Sequence, residues 1–262
     1  MTRWLSKNLI RIYAALALIY LFIPVAYTMA FSFNDSGKRN LIWQGFTFKN
    51  WLNPCGAPEV CTALGNSIKI GFLATLFSTL LGTMIAFALG RYSFRGRSTT
   101  NLLIFLPMAT PEIVLGASLL SLFLVFHINP GFWPTVIAHV MFCISFVVVT
   151  VKARIASLDP RLEQAAMDLY ANEFETFRRV TLPLVAPGIA GAALLAFSLS
   201  FDDFIITNFN SGTLKTFPEF VYTSAARGIP AQANVIGSAM FILALLIVIA
   251  AQFVGRRVKV SK

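Results

Sequence analysis

Six long apolar runs alternate with shorter polar segments along the 262-residue chain. A helix needs about 20 mainly apolar residues to cross a bilayer, and each run reaches or approaches that length. The runs lie at residues 12–33, 68–89, 102–126, 133–151, 185–207 and 235–254. The pattern therefore predicts an all-α integral membrane protein with about six transmembrane helices.

The composition agrees with a chain that is solvated by lipid. Hydrophobic residues make up 57% of it and charged residues 12%, whereas a soluble domain carries about 25% charged residues. The net charge of +10 raises the question of nucleic acid, but the basic residues flank apolar runs and form no stripe interleaved with aromatic residues. Membrane lipid is therefore an expected partner, and nucleic acid is not.

The basic residues also predict the orientation of the chain. Fifteen of the 21 Lys and Arg residues lie in the segments 1–11, 90–101, 152–184 and 255–262. These segments share one side of the membrane if the chain crosses it six times, and cytoplasmic loops retain an excess of Lys and Arg. We therefore expect a multi-pass protein with both termini in the cytoplasm.

The three cysteines suggest packing or a disulfide rather than metal binding. Cys143 lies in an apolar run and is expected to be a packing residue. Cys55 and Cys61 share a polar segment and can form a disulfide if that segment lies outside the cytoplasm; two free thiols are the alternative. The sequence has no CxxC motif or histidine cluster, so no metal site is expected.

The third apolar run contains two prolines followed by an acid. Pro107 and Pro111 remove backbone donors and are expected to kink the helix, and Glu112 follows directly. Irregular backbone at membrane depth is tolerated where it is buried in protein or lines a watery cavity. A kink that serves packing alone is the alternative, but the adjacent carboxylate favours a lined pathway.

Three acidic residues are expected to lie within the membrane. Glu112 lies about 15 Å into the third span and Asp202, next to Asp203, about 22 Å into the fifth, counted at helical rise. A carboxylate at such depth costs roughly 2.5–3.5 kcal/mol, and the spans contain hardly any cation that could compensate. We therefore expect these acids to line a pathway for a cationic substrate.

Each of these acids also has a simpler interpretation. Asp202 and Asp203 can form a solvated helix end with neighbouring hydroxyl groups, and Glu112 can accept hydrogen bonds from amides freed beside Pro111. Trp133, at the predicted membrane edge, is a further candidate for the pathway through a cation–π contact. A role in the interfacial aromatic belt is the simpler interpretation of Trp133.

The polar segment 156–187 combines small apolar residues with charges at helical spacing. One face of its first half is formed by Leu162, Ala165, Ala166 and Leu169. A second short helical register follows, so two short amphipathic helices are predicted, with Asn172 near the break because Asn tolerates left-handed backbone. Their small-residue face suits either the docking of another protein or packing against this chain's own helix ends.

The same segment resembles the EAA loop of binding-protein-dependent ABC-importer permeases. That loop usually reads Glu-Ala-Ala, has Gly four residues after the second Ala, and leads to a downstream Leu-Pro. This chain has Gln164-Ala165-Ala166, Asp168-Leu169, Tyr170-Ala171 and Leu182-Pro183. The resemblance implies the type I ABC importer transmembrane fold, with a cytoplasmic coupling helix that docks onto an ATPase. The docking residues that it implies are Glu163, Gln164, Ala165, Ala166, Asp168, Leu169, Tyr170, Ala171, Leu182 and Pro183.

Two residues depart from the family pattern. Gln164 stands where the family usually has Glu, although Glu163 directly precedes it, and Tyr170 stands where the family usually has Gly. Gly fits a tight turn more easily than Tyr does. The break between the two short helices is therefore expected to move to Asn172, or the first helix is expected to run on.

Further segments resemble the spermidine/putrescine subfamily of these permeases, and the similarity covers nearly the whole chain. They are Trp43-Gln44-Gly45-Phe46, Gly131-Phe132-Trp133, residues 139–151, and Leu199-Ser200-Phe201-Asp202-Asp203. The resemblance implies a permease of the bacterial inner membrane for polyamines, flexible polycations that spaced carboxylates suit. It also implies three protein partners, namely a second homologous permease subunit, a cytoplasmic ATPase dimer and an extracytoplasmic substrate-binding protein.

The resemblance also suggests a division of the chain. An N-terminal transmembrane helix with an outer loop spans residues 1–60, a permease domain including the EAA-like loop spans 61–255, and a cytoplasmic tail spans 256–262. The sequence has no Gly-x-x-x-x-Gly-Lys-Ser/Thr phosphate-binding loop. We therefore expect a permease that is not an enzyme and binds no cofactor itself, with ATP and Mg²⁺ on the partner ATPase.

The residues leave three alternatives to this interpretation. An ion-coupled secondary transporter of a cationic solute would use Glu112, Asp202 and Asp203 as a proton relay. A membrane enzyme would use the same acids for general acid–base catalysis, with His127 or His139 as a partner, although packing is the expected role of both histidines. An ABC importer for another substrate would have a similar coupling loop.

Overall fold

The computed structural model describes residues 2–37, 40–226 and 228–260, with side chains described from residue 8 to residue 249 within these ranges. Residues 38, 39 and 227 of the predicted outer loops, residues 261–262 of the predicted tail and the side chains of residues 256–260 lie outside it. The described helices are α1 (Thr2–Phe31), α2 (Lys49–Leu52), α3 (Val60–Arg91), α4 (Arg97–Ala109), α5 (Glu112–Val125), α6 (Phe132–Ala156), α7 (Arg161–Asp168), α8 (Glu173–Thr176), α9 (Leu182–Asp202), α10 (Ile205–Asn210), α11 (Phe217–Ala225) and α12 (Ala231–Val260).

Five helical stretches in the described part of the chain are long and apolar enough to cross a membrane. They are Asn8–Phe31, Val60–Arg91, Phe132–Ala156, Glu173–Asp202 and Ala231–Ile249. The predicted third span is not one kinked helix but two helices, α4 and α5, which meet at 108°. Counted as one broken span, this pair gives the six crossings that the hydrophobic pattern predicts.

The break between α4 and α5 occurs at Pro111, whereas α4 continues through Pro107 to Ala109, so the kink predicted at Pro107 stays a prediction. A residue that precedes proline is disfavoured in helical conformation, and Thr110 is extended with ψ 131°. The Thr110 hydroxyl donates a 2.7 Å hydrogen bond to the carbonyl of Leu106. The Leu106 carbonyl therefore accepts hydrogen bonds from both the amide and the hydroxyl of Thr110 where the helix ends.

The contacts of α4 and α5 place the two ends of the pair toward opposite ends of α6. At the start of α4, Asn101 accepts a 2.7 Å hydrogen bond from Lys152, near the C-terminal end of α6. At the other end, six residues separate α5 from the N-terminal end of α6. The start of α4 therefore lies near the C-terminal end of α6, and the connection after α5 leads to its N-terminal end, as a broken span requires.

The fifth span ends earlier than predicted. Its helix α9 stops at Asp202, and α10 begins after a break at residues 203–204, so the predicted span 185–207 contains two helices. At its start, a π-helical turn at Phe177–Thr181 leads into α9, where Pro183 lies at the second position. Proline cannot donate to the preceding turn, and a wide turn accommodates the missing bond.

The core of the segment 62–219 lies between α6 and α9, with α3 packed beside them. It contains Cys143, Val147 and Val151 of α6 and the small residues Ala192 and Ala196 of α9, all fully buried. In lipid no hydrophobic force drives helices together, so their association depends on close packing, which small residues allow. Cys143 is buried and free, which confirms the predicted packing role.

The chain forms two compact units, residues 62–219 and residues 1–61 with 220–262. In the latter unit α1 packs on α12, with the rings of Phe22 and Phe241 edge-on at 6.4 Å. The loop after α1 is ordered by Asn34, which accepts a 2.7 Å hydrogen bond from the Gln44 amide. A disulfide joins Cys55 to Cys61, so the structure selects the disulfide. The predicted boundaries at residues 60 and 255 remain predictions.

Candidate functional site

Asp203 occupies the break between α9 and α10 and is 7% exposed. Its carboxylate accepts hydrogen bonds from the backbone of Thr207 at 2.8 Å, the Thr207 hydroxyl at 3.0 Å and the Ile206 amide at 3.3 Å. The two amides are free donors of the first turn of α10, and a carboxylate there caps the helix and complements its dipole. The chain breaks here because Asp203 stabilises a new helix start.

The interpretation of His139 as a packing residue alone in its span is wrong, because it belongs to a buried polar network with Asp203. His139 Nε2 lies 3.3 Å from Asp203 Oδ2 and 3.0 Å from Thr207 Oγ1. His139 Nδ1 lies 2.7 Å from the hydroxyl of Ser200. The expectation that the acids lack an internal partner is therefore wrong for Asp203, because burial in low dielectric requires such pairing.

The other two acids are open to the surface of the unit. Asp202, the last residue of α9, and Glu112, the first residue of α5, are both exposed. Glu112 is close enough to interact electrostatically with Asp202 and Asp203. The structure thus places the three predicted pathway acids at two neighbouring helix breaks, with Asp203 facing inward and Glu112 and Asp202 available to solvent.

Gly116 of α5 brings the two broken spans together. A Cβ atom at this position would lie 2.9 Å from the ring of Phe209 and 3.3 Å from the Cα atom of Ile206. The Gly116 carbonyl accepts a 3.3 Å hydrogen bond from the Asn210 side chain. The absence of a side chain at residue 116 therefore allows α5 to approach α10 and fixes Glu112 near the second break.

Trp133, the fourth predicted pathway residue, lies in the first turn of α6 and is 60% exposed. Its ring packs edge-on against Phe132 at 5.4 Å. His139 lies six residues further along the same helix, about 9 Å at helical rise. A pathway role for Trp133 stays a prediction.

The segment 156–187 forms the two predicted short helices, α7 and α8, and α8 continues through the π-helical turn into α9. The residue in left-handed conformation is Tyr170, with φ 64°, and not Asn172 as predicted. Asn172 instead caps α8: its side chain accepts a 2.9 Å hydrogen bond from the Glu175 amide, in a capping box. The break therefore stays at the position of the family's usual glycine, although left-handed backbone costs a non-glycine residue about 1–2 kcal/mol.

The turn between α7 and α8 and the start of α8 present large apolar side chains to solvent. Tyr170 is 98% exposed, Leu169 82% and Phe174 70%. Gln164, Ala165 and Asp168 of α7 are also exposed, while Ala166 and Ala171 are half-buried. A contiguous exposed apolar patch on a charged loop is typical of a protein docking surface.

Glu163 does not belong to this exposed surface. Its carboxylate receives two hydrogen bonds from the guanidinium of Arg91, at the end of α3, and one from the hydroxyl of Thr181. The Glu163 side chain is only 17% exposed. The hydrogen bonds from Arg91 lower the pKa of Glu163 below its ordinary value, against the opposing effect of burial.

Leu182 and Pro183 begin α9 behind this surface. Leu182 is half-buried and Pro183 exposed, and Arg154 of α6 donates hydrogen bonds of 3.0 and 2.7 Å from Nε and Nη2 to the Leu184 carbonyl. Arg154 also packs where a side chain at Gly188 would lie. The start of α9 is thus fixed to the C-terminal end of α6.

Sequence reasoning missed His139 and Arg91 as partners of the acids. A histidine inside a span is a polar group that needs a partner, which was the available signal for His139. Arg91 and Glu163 both lie in predicted cytoplasmic segments with opposite charge, but their separation along the chain gave no reason to pair them. Within the described residues, no group of three or more His, Cys, Asp or Glu is arranged to hold a metal ion.

Comparison with known proteins identifies the family. Residues 78–260 match the family described as binding-protein-dependent transport system inner membrane component. The spermidine/putrescine transport system permease protein PotC of Escherichia coli (strain K12) is 36% identical over 238 residues, 90% of each chain. The putrescine transport system permease protein PotI of the same organism is 34% identical over 85% of this chain and 82% of the relative.

The fold is also that of a solved importer. A bacterial alginate ABC transporter in complex with an alginate pentasaccharide-bound periplasmic protein aligns with a TM-score of 0.68 at 16% identity, covering 98% of each chain. The predicted type I ABC importer transmembrane fold is thereby confirmed, and the ion-coupled transporter and the membrane enzyme are set aside. The chain belongs to the family of inner membrane components of binding-protein-dependent transport systems and is a permease subunit of that class.

Proposed function

We propose that this chain is one of two permease subunits of an ATP-driven importer that carries polyamines into the cytoplasm. The observation behind the proposal is the pair of exposed carboxylates, Glu112 and Asp202, at two helix breaks that pack together. Fixed negative charges at such breaks suit a flexible polycation. The 36% identity with a relative named as a spermidine/putrescine permease favours the same substrate class.

The other subunits of the importer are assigned to the surfaces of this chain that they would contact. The exposed turn with Leu169 and Tyr170, together with Gln164 to Ala166, forms the proposed docking surface for a cytoplasmic ATPase dimer, which binds ATP and Mg²⁺. This chain is proposed to bind no cofactor. A second homologous permease completes the pathway, and the outer loops 34–66 and 208–233 meet a substrate-binding protein.

The proposed orientation places both termini in the cytoplasm. It is supported by the excess of Lys and Arg on that side. It is also supported by the disulfide between Cys55 and Cys61, because such bonds persist in oxidising compartments outside the cytoplasm. The coupling segment at 156–187 then faces the ATPase.

The proposed mechanism assigns different tasks to the two breaks and to the coupling segment. Closure of the ATPase dimer moves α7, and the spans alternate between outward and inward access. Glu112 and Asp202 bind the cationic substrate in one state more tightly than in the other, because a ligand shifts an equilibrium only by its differential affinity.

The test is uptake by the complete complex in proteoliposomes that contain both permeases, the ATPase and the binding protein. A hydrogen bond to a charged group contributes about 1.5–3 kcal/mol, so Asp202→Asn and Glu112→Gln are each expected to lower uptake of labelled spermidine about tenfold or more. ATP hydrolysis and assembly of the complex serve as controls. Ser118→Ala, which changes an exposed neutral side chain of α5, is expected to leave uptake unchanged.

Unchanged spermidine uptake by both acid variants would remove the two carboxylates from the pathway. Uptake by the wild-type complex of an unrelated neutral or anionic solute, without uptake of polyamines, would contradict the substrate class. Uptake that persists without the ATPase and collapses with an ionophore would contradict the energy source.

A further inference from the structure

The side chain of Glu163 joins three elements at the cytoplasmic side. It lies in the first turn of α7 and binds Arg91 at the last residue of α3 and Thr181 at the end of the π-helical turn. Arg91 contributes both terminal nitrogens, so the pair is bidentate, which is the strongest arrangement of an ion pair. A movement of α7 therefore displaces the ends of both α3 and α9.

Open space lies on both sides of this contact. Two cavities of about 360 and 620 Å³ flank the pair, and both are lined by Arg91 and Glu163. The smaller cavity also contains Arg97 and Lys152, whose donors are used by the Leu89 carbonyl and the Asn101 side chain. The Glu163 contacts therefore cross a gap between α7 and the spans.

The residues that follow Glu163 in α7 differ from it in exposure and in what they contact. Gln164 and Ala165 are exposed, as expected of residues that contact another protein, while Glu163 points into the permease and is 17% exposed. Adjacent residues of α7 therefore form the proposed docking surface (Gln164 and Ala165) and the internal contact (Glu163). The docking role that the family resemblance implies for Glu163 stays a prediction, and its contacts in this structure are internal to the permease.

We infer that Arg91, Glu163 and Thr181 form the internal joint that transmits movement of the coupling helix to α3 and α9. This inference rests on the proposed function, because it assumes that an ATPase moves α7. The three are positioning residues, since none is proposed to touch ATP or the substrate. Helix α9 carries Asp202 at its other end, 20 residues from Leu182, or about 30 Å at helical rise. The joint thus connects the docking surface to the pathway through one continuous helix.

The experiment measures ATP hydrolysis and substrate uptake in the same proteoliposomes, with the complete complex and labelled spermidine. Arg91→Ala and Glu163→Gln are expected to lower the number of molecules transported per ATP hydrolysed about tenfold, while hydrolysis continues. Arg95→Ala is the matched control, because Arg95 is an exposed arginine in the same connection. The exchange variant Arg91→Glu with Glu163→Arg is expected to recover part of the ratio.

An unchanged transport-to-hydrolysis ratio in Arg91→Ala and Glu163→Gln would contradict the inference that these residues transmit movement of α7. A loss equal to that of Arg95→Ala would also overturn it, because it would reflect charge alone. If Arg91→Ala does not assemble, Thr181→Val decides instead, with Thr181→Ser as the variant that keeps the hydroxyl and the ratio. If the wild-type complex does not couple hydrolysis to uptake, the proposed function fails and not the joint.

Discussion

At the scale of single residues, Asp202 and Asp203 show that adjacent identical side chains take different roles. Asp203 is buried, caps α10 and pairs with His139, whereas Asp202 is exposed at the end of α9. Sequence reasoning treated the two as equivalent because both lie in the same apolar run. The difference arises from the backbone break, which turns one carboxylate toward the protein and leaves the other open.

Substitution of Asp203 therefore affects stability more than substitution of Asp202. Asp203→Asn keeps the size of the side chain but removes the charge that faces His139, and leaving a buried polar partner unsatisfied costs about 1–3 kcal/mol. We expect a lower thermal midpoint for the purified Asp203→Asn permease complex than for wild type. Asp202→Asn serves as the matched control and is expected to retain the wild-type midpoint; equal midpoints for both variants would contradict the buried pair.

At the scale of helices, the sequence predicted the number and order of the apolar spans but not the geometry of their breaks. Hydrophobic runs are sufficient to locate spans, since each must cover the bilayer. Pro111 signalled the first break, but the angle of 108° depends on how α5 packs against α10 through Gly116. The second break carries no proline, and it depends on Asp203 capping a helix that only tertiary contacts reveal.

The coupling segment shows the same limit. Its two short helices follow from spacing, whereas the left-handed conformation of Tyr170 does not, because residue preference favours Asn172. Asn172 is used as a cap, which satisfies the first amides of α8. The inward direction of Glu163 depends on Arg91, 72 residues earlier in the chain, and no local pattern contains that information.

The packing of α5 on α10 can be tested through its glycine. Gly116→Ala places a Cβ atom 2.9 Å from the Phe209 ring and 3.3 Å from the Ile206 backbone, and overpacking of this kind costs about 1–3 kcal/mol. We expect a lower thermal midpoint of the purified complex. Gly191→Ala is the control, because a Cβ atom there meets nothing within 4 Å and alanine favours helix. A midpoint as high in Gly116→Ala as in Gly191→Ala would contradict the close approach.

The attachment of α7 depends on pH through Glu163. Because Arg91 lowers the pKa of Glu163 below its ordinary value of 4.5, the stabilisation is complete above that value and is lost as the pH falls through the lower, folded-state pKa. We expect the difference in thermal midpoint between wild type and Glu163→Gln to be largest near neutral pH and to shrink below pH 4.5. Glu173→Gln, which removes an exposed carboxylate of α8, controls for general acid effects. A difference that is constant from pH 7 to acid pH would contradict the ion pair.

At the scale of the whole molecule, the broken pair α4–α5 decides how many times the chain crosses the membrane. If the pair crosses, the chain has six crossings and its termini share one side, as the distribution of basic residues predicts. If it instead enters and returns, α6 runs in the opposite direction and the coupling segment faces away from the cytoplasm. The hydrogen bond of Asn101 to Lys152 supports crossing, because it places the start of α4 beside the far end of α6.

The two topologies differ in which loops a membrane-impermeant maleimide can reach. Single cysteines are placed at the exposed positions Ser98, Asn129 and Ser157, in a chain with Cys143→Ala and the Cys55–Cys61 disulfide intact. They report on the first turn of α4, the connection between α5 and α6, and the connection after α6. Crossing predicts that intact cells label Asn129→Cys only, with Ser98→Cys and Ser157→Cys labelled after permeabilisation. A pair that returns to the same side would leave Asn129→Cys protected together with Ser98→Cys and expose Ser157→Cys. Because the connection after α6 leads directly to α7, labelling of Ser157→Cys in intact cells would also exclude docking of a cytoplasmic ATPase on that helix.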